Sequence, residues 1–92
     1  VDEGAARAIL SSGRSLLPVG ICEVVGAFER GALVSVRSQG DQAIARGLCN
    51  YSAADLQRIL GQHSADIVDV LGYDYGPAFI HRNNLVVLRD AD

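Results

Sequence analysis

Near the amino end, Ala5, Ala8, Ile9 and Ser12 fall at helical spacing among good helix formers, and Gly13 supplies a stop. The pattern predicts a helix over 2–12. Ser15 to Gly20 then reads as an extended segment interrupted by Pro18 and Gly20. Ile21 to Phe28 alternates loosely and is rich in β-branched residues, which predicts a strand. After a turn at Glu29 to Gly31, Leu33 to Arg37 alternates cleanly, with Val34 and Val36 inward and Ser35 and Arg37 outward. Ser38 to Asp41 is a hairpin turn with Gly40 expected at positive φ. Ala43 to Tyr51 completes a three-stranded meander, where the interior Gly47 signals a bulge or a close backbone approach.

The pattern then returns to helical spacing. Ser52 is a good N-cap with Asp55 three residues on, and Leu56, Ile59 and Leu60 form an apolar stripe that ends at Gly61. Ser64 is expected to cap a second short helix that buries Ile67, Val68, Val70 and Leu71, leaves Asp66 and Asp69 in water and closes at Gly72. Tyr73 to Pro77 reads as a turn, followed by two late strands, Ala78 to Ile80 and Asn84 to Leu88. The expected architecture is a small mixed α+β domain whose clustered antiparallel strands form a closed or nearly closed barrel.

Composition sharpens this picture. The chain has 92 residues, 49% of them hydrophobic and 21% charged, which fits one globular domain and excludes a wholly disordered chain. No apolar run reaches the roughly 20 residues of a membrane-spanning helix. The first residues, Val1 to Gly4, lack the basic character of a secretory leader, so a cytoplasmic protein without membrane contact is expected. Methionine is absent, even at position 1, so the expectation is a fragment or a processed product. All eight basic residues are arginine and the net charge is −3, opposite in sign to most dedicated nucleic-acid-binding domains.

Candidate chemistry is sparse. Cys22 and Cys49 stand 27 residues apart without zinc spacing, and two buried free thiols are favoured over a disulfide. His63 and His81 lack a third ligand at a recognisable spacing, so a capping or turn role is favoured for His63. Ser64 has no nucleophile-elbow context. Gly26 and Gly31 have the spacing of a phosphate loop, yet Ala32 and Leu33 follow where Lys and Ser or Thr are needed. Tyr73 and Tyr75 could stack on bases, although a turn packed on the core is favoured. Arg7, Arg14 and Arg82 would form a local basic patch if the fold gathers them; scattered solvated arginines are weighed at least equally.

The carboxyl half is more specific. Ile44–Tyr51 (IARGLCNY), Asp55–Ile59 (DLQRI), His63-Ser64 with Ile67, Leu71–Gly76 (LGYDYG) and His81–Val86 (HRNNLV) closely resemble the C-terminal domain of the bacterial glutamate 5-kinase family. Ser15–Gly20 (SLLPVG) and Phe28–Gly31 (FERG) agree, and the resemblance runs from about Asp2 to Leu88. The Phe-x-Arg-Gly and Pro-x-Gly steps are shared with the wider PUA family of RNA-binding pseudobarrels. Asn83 departs from the pattern, where Asp is expected.

The resemblance implies one PUA-like pseudobarrel over residues 1–92, cut from a parent that phosphorylates the side-chain carboxylate of L-glutamate. That reaction uses ATP and magnesium and opens proline biosynthesis, under feedback by proline. In the family the catalytic, nucleotide and glutamate sites lie in a preceding amino-acid-kinase domain. No catalytic, cofactor-binding or metal-ligating residue is therefore assigned in this chain. The leading expectation is a regulatory and interaction module whose partners are the kinase domain and other subunits. The alternative is an RNA-binding module using Arg7, Arg14, Pro18, Gly20 and Arg82, with Gly20 allowing close backbone approach.

Overall fold

A computed structural model describes residues 1–88. Helix α1 (Glu3–Ser12) starts where the Asp2 carboxylate accepts from the Ala5 amide and ends where Gly13 adopts a left-handed φ of 58°. A 3₁₀ turn over Pro18–Gly20 follows, using the proline's fixed φ at the first helical position. Two antiparallel strands, β1 (Leu33–Arg37) and β2 (Ala43–Leu48), form a hairpin. Helix α2 (Ala53–Ile59) is capped by Ser52, whose Oγ accepts from the Asp55 amide. After a 3₁₀ turn at Ser64–Asp66 comes the one-turn helix α3 (Ile67–Leu71), closed by left-handed Gly72. A last 3₁₀ turn, Arg82–Asn84, leads into strand β3 (Leu85–Val87).

The sheet order is β1-β2-β3, all antiparallel. Val36, Ala45 and Val87 are register partners on the core face, as are Val34, Gly47 and Leu85. Far from the sheet in sequence, Leu16 pairs with Ile80 as an isolated bridge, tying the segment after α1 to the segment before β3. The core joins α1 (Ile9), α2 (Leu56, Ile59), α3 (Ile67, Leu71), β2 and the bridge pair Leu16 and Ile80. It is apolar throughout: among the described residues no polar or charged side chain of the buried class is found except the Tyr51 hydroxyl, which is hydrogen-bonded.

The α+β class, α1, β1, α2 and the Gly72 stop are as the sequence predicts. Ile21 to Phe28 is not a strand. Its inward residues are Ile21, Val24 and Phe28, a spacing of three to four rather than two, and Gly26 takes a φ of 84° that breaks the run. Among the described residues the backbone between Cys22 and Ala27 makes no hydrogen bond to another backbone group. Cys22 is consequently exposed, and only Cys49 is buried. Ala78 to Ile80 is likewise a single bridge rather than a strand.

Smaller differences have local causes. In the hairpin the positive φ belongs to Asp41 at 61°, not Gly40, because the turn closes with the Asp41 amide on the Ser38 carbonyl. Residue Ile44 is the extra one where the register shifts, so the bulge lies at the turn end of β2. Gly47 instead marks a close approach, since a Cβ there would lie 2.3 Å from the Asn84 carbonyl oxygen. Ser64 caps no helix; its hydroxyl donates to the Pro77 carbonyl at 2.7 Å, and His63 stands at the N-cap. Val68 is 48% exposed because a one-turn helix buries a single stripe, here Ile67 and Leu71.

Candidate functional site

The sequence-derived RNA residues divide into two groups. Arg14 and Arg82 are brought together: the Leu16–Ile80 bridge aligns their segments, and the Arg82 amide donates to Ser15 Oγ at 2.8 Å. Both are exposed, and among the described residues neither forms an ion pair. Arg7 is not part of this pair; its guanidinium is engaged by Glu3 one turn earlier at 2.9 Å. Pro18 and Gly20 face inward. The Pro18 carbonyl accepts from the Ile21 and Gly61 amides, which ties this turn to the end of α2. The space above Gly20 is taken by Ala5 of α1, so the missing side chain serves helix packing rather than the approach of an external backbone.

A second assembly surrounds the Tyr73–Pro77 turn. The buried Tyr51 hydroxyl donates to the Gly76 carbonyl at 2.6 Å and accepts from the Tyr75 amide at 2.9 Å. Asn50 Nδ2 donates to the Tyr75 carbonyl at 2.7 Å, and the Tyr73 hydroxyl donates to Asp55 Oδ2 at 2.6 Å. Tyr75 packs tilted against Tyr51 and Tyr73, with centroids 5.5 and 5.3 Å away, while the Arg30 guanidinium lies 3.9 Å over its ring. Burial, assisted by the charge of Asp74, pushes the Tyr51 phenol above its ordinary pKa, against the opposing effect of the Tyr75 amide. The Asp55 hydrogen bond raises that of Tyr73. The turn is therefore anchored to the core, and its two aromatic rings remain partly open to solvent.

Sequence reasoning missed Arg30 and Asn50 in this assembly. The available signals were the Arg in the Phe-Glu-Arg-Gly turn and the polar Asn50 just before Tyr51. Their convergence is tertiary, since β2 carries Asn50 to a turn 25 residues later in the chain.

The outer face of the sheet is a third feature. Leu33 pairs with Leu48, and Ser35, Arg46 and Val86 are mutual register partners, so these side chains share the solvent side. A shallow depression lined by Arg30, Leu48, Asn50 and Asn84 connects this face to the tyrosine turn.

Among the described residues no group of three or more His, Cys, Asp and Glu side chains is placed to hold a metal ion. Gly26 to Gly31 leads into β1 rather than a helix, so it offers no cradle for a nucleotide phosphate. His81 closes its own turn by accepting from the Asn83 amide on Nδ1. No described helix is long and apolar enough to cross a membrane.

Residues 1–71 match the family described as PUA domain. A glutamate 5-kinase of Photobacterium profundum is 51% identical over 88 residues, covering 96% of this chain and 23% of that protein. The glutamate 5-kinase of Methylobacillus flagellatus is 53% identical over 88 residues, covering 96% of this chain and 24% of its own length. The chain thus spans under a quarter of the length of these curated relatives. Among solved structures, a PUA domain from Aeropyrum pernix K1, crystallised as a tartrate complex, aligns with a TM-score of 0.63 and 24% identity. The alignment covers 88% of this chain and 39% of that one. At that identity the likeness speaks for the fold alone.

Proposed function

The chain belongs to the PUA domain family, and from that premise we propose that it is the non-catalytic PUA module of a glutamate 5-kinase. The observation that carries this reading is the asymmetry of the match: 96% of this chain but only 23–24% of each relative is covered, at 51–53% identity. The similarity is thus to one region of a longer chain. In such a parent the phosphoryl transfer from ATP to L-glutamate, and the magnesium it needs, belong to the rest of the protein. The module's role is to tune that activity through contacts with the kinase domain and with other subunits.

Deleting residues 1–92 from the parent tests this reading. Catalysis should persist while its response to proline or to free magnesium changes. Identical kinetics with and without the module would remove the regulatory role.

A second reading, RNA binding, is favoured by the exposed Arg14 and Arg82 on two segments joined by the Ser15 hydrogen bond. Two phosphate contacts would give an affinity that falls with the logarithm of salt at a slope of about 1.4 to 1.8. Titration with a structured RNA at low and physiological salt, repeated with R14A/R82A, decides it. Unchanged affinity in the double variant would exclude these arginines as the site.

A further inference from the structure

The outer sheet face combines features that a solvated surface does not need. Leu33 is 63% exposed, Leu48 48% and Val86 62%, and the β1-β2-β3 register places them around Arg46 on one side of the sheet. An antiparallel sheet that faces water on one side ordinarily alternates apolar inward with polar outward. Here three of the outward positions are Leu or Val. Through the depression beside Leu48 the face continues to Arg30 and Tyr75.

Charge points to the occupant. The two ion pairs among the described residues are Arg7–Glu3 and Arg37–Asp41, so among them neither Arg30 nor Arg46 is engaged in an ion pair. The Arg30 guanidinium lies over Tyr75, a ring packed against Tyr51 and Tyr73. Rigid aromatic and arginine groups beside apolar neighbours are the composition of protein-interface hot spots. Nucleic acid fits less well, because Leu and Val offer nothing to phosphates and Arg30 already covers one face of Tyr75.

We infer that the β1-β2-β3 outer face, centred on Arg46 and Leu48 and extended by Arg30 and Tyr75, docks against an apolar, carboxylate-bearing surface of the kinase portion of its own parent chain. The inference rests on the proposed glutamate 5-kinase reading, in which more than three quarters of the parent lies outside this chain. It adds to that reading the surface through which tuning would pass.

Hydroxyl-radical footprinting of the full-length parent, read by mass spectrometry, tests the inference with an internal control. Leu10 and Leu17 are 44% and 40% exposed and lie off the face, so on an open face Leu33 would be labelled more than either. The expected result is the reverse, with Leu33 and Leu48 labelled at least about fivefold less than Leu10 and Leu17. The charge reversal R46E should restore Leu33 labelling to the Leu10 level; L48D, also at an exposed position, serves as a second disengaging variant.

Leu33 labelling at or above Leu10 in the wild type would overturn the docking. Protection lost on dilution would assign the face to a second copy, and protection appearing only with added structured RNA would assign it to RNA; either overturns the inference. Glutamate-dependent ATP consumption is measured on the same samples. Its absence would overturn the kinase reading, whereas an active enzyme with an open face would overturn the docking alone.

Discussion

Gly20 and Ala5 are packed at backbone distance: a Cβ on Gly20 would lie 2.5 Å from the Ala5 Cβ. This contact, with the Asp2 amide donating to the Gly20 carbonyl at 2.9 Å, seats α1 on the Pro18–Gly20 turn.

Gly20→Ala should destabilise the domain by about 1–3 kcal/mol through overpacking. Ala5→Gly alone should cost about 1 kcal/mol from helix propensity. In the double variant the clash is removed, so the combined loss should be smaller than the sum. Denaturant unfolding of the three variants measures this coupling, and strict additivity would show that the two positions do not touch.

Gly47→Ala should be the more damaging glycine change, about 3 kcal/mol or more. The added methyl meets the backbone carbonyl of Asn84 at 2.3 Å and Ile80 Cγ2 at 2.8 Å, and backbone cannot rotate aside. Loss of the β2–β3 pairing should appear as fast amide exchange in the β3 segment. A variant as stable as the wild type would contradict the close approach.

Tyr51→Phe removes both the donor to Gly76 and the acceptor for the Tyr75 amide, a loss of about 1–3 kcal/mol. The change also alters the alkaline limb. Burial holds the folded phenol above its ordinary value of 10.0, so the folded state binds this proton more tightly than the unfolded chain does. Its stabilisation is complete below the ordinary value and disappears as pH rises through the higher folded value. Unfolding midpoints collected from pH 8 upward should fall more steeply for the wild type than for Y51F; parallel curves would contradict the assignment.

The two thiols should react in two phases. Cys22 is exposed, whereas Cys49 is 3% exposed and its Sγ donates to the Glu29 carbonyl at 3.3 Å. A thiol-disulfide reagent should therefore consume one equivalent rapidly in the native protein and the second only on unfolding. Cys22→Ser should abolish the fast phase, and a fast second equivalent would show that Cys49 is accessible.

Much of the local structure was legible in the residue pattern because it depends on short-range chemistry. Ser52 caps α2 as its side chain dictates, and Gly13 and Gly72 stop helices by adopting left-handed φ. The clean alternation of β1 also fixes which of its residues face inward. Ile21 to Phe28 misled because β-branched content favours extended backbone without supplying a partner strand. Ser64 misled because its hydroxyl had two possible acceptors, and the one used lies 13 residues away.

The candidate site was legible only in pieces. Tyr73 and Tyr75 were visible as aromatics in a turn, but Arg30 and Asn50 join them solely through pairings made elsewhere in the chain. Arg82 meets the Arg14 segment because the Ser15 hydrogen bond spans 67 residues. Gly20 was visible as a place of close approach, yet what approaches it is Ala5.

By itself the sequence determined the α+β class, the extent of α1, the capped start of α2 and the motifs that resemble one family, since each is written in neighbouring residues. Tertiary structure alone decided which exposed groups share a surface. Register placed Leu33, Arg46, Leu48 and Val86 on one face, and a single-residue slip would have turned each slipped strand's side chains to the other side. Side-chain period is local, but pairing between distant segments is set by the packing of the whole core.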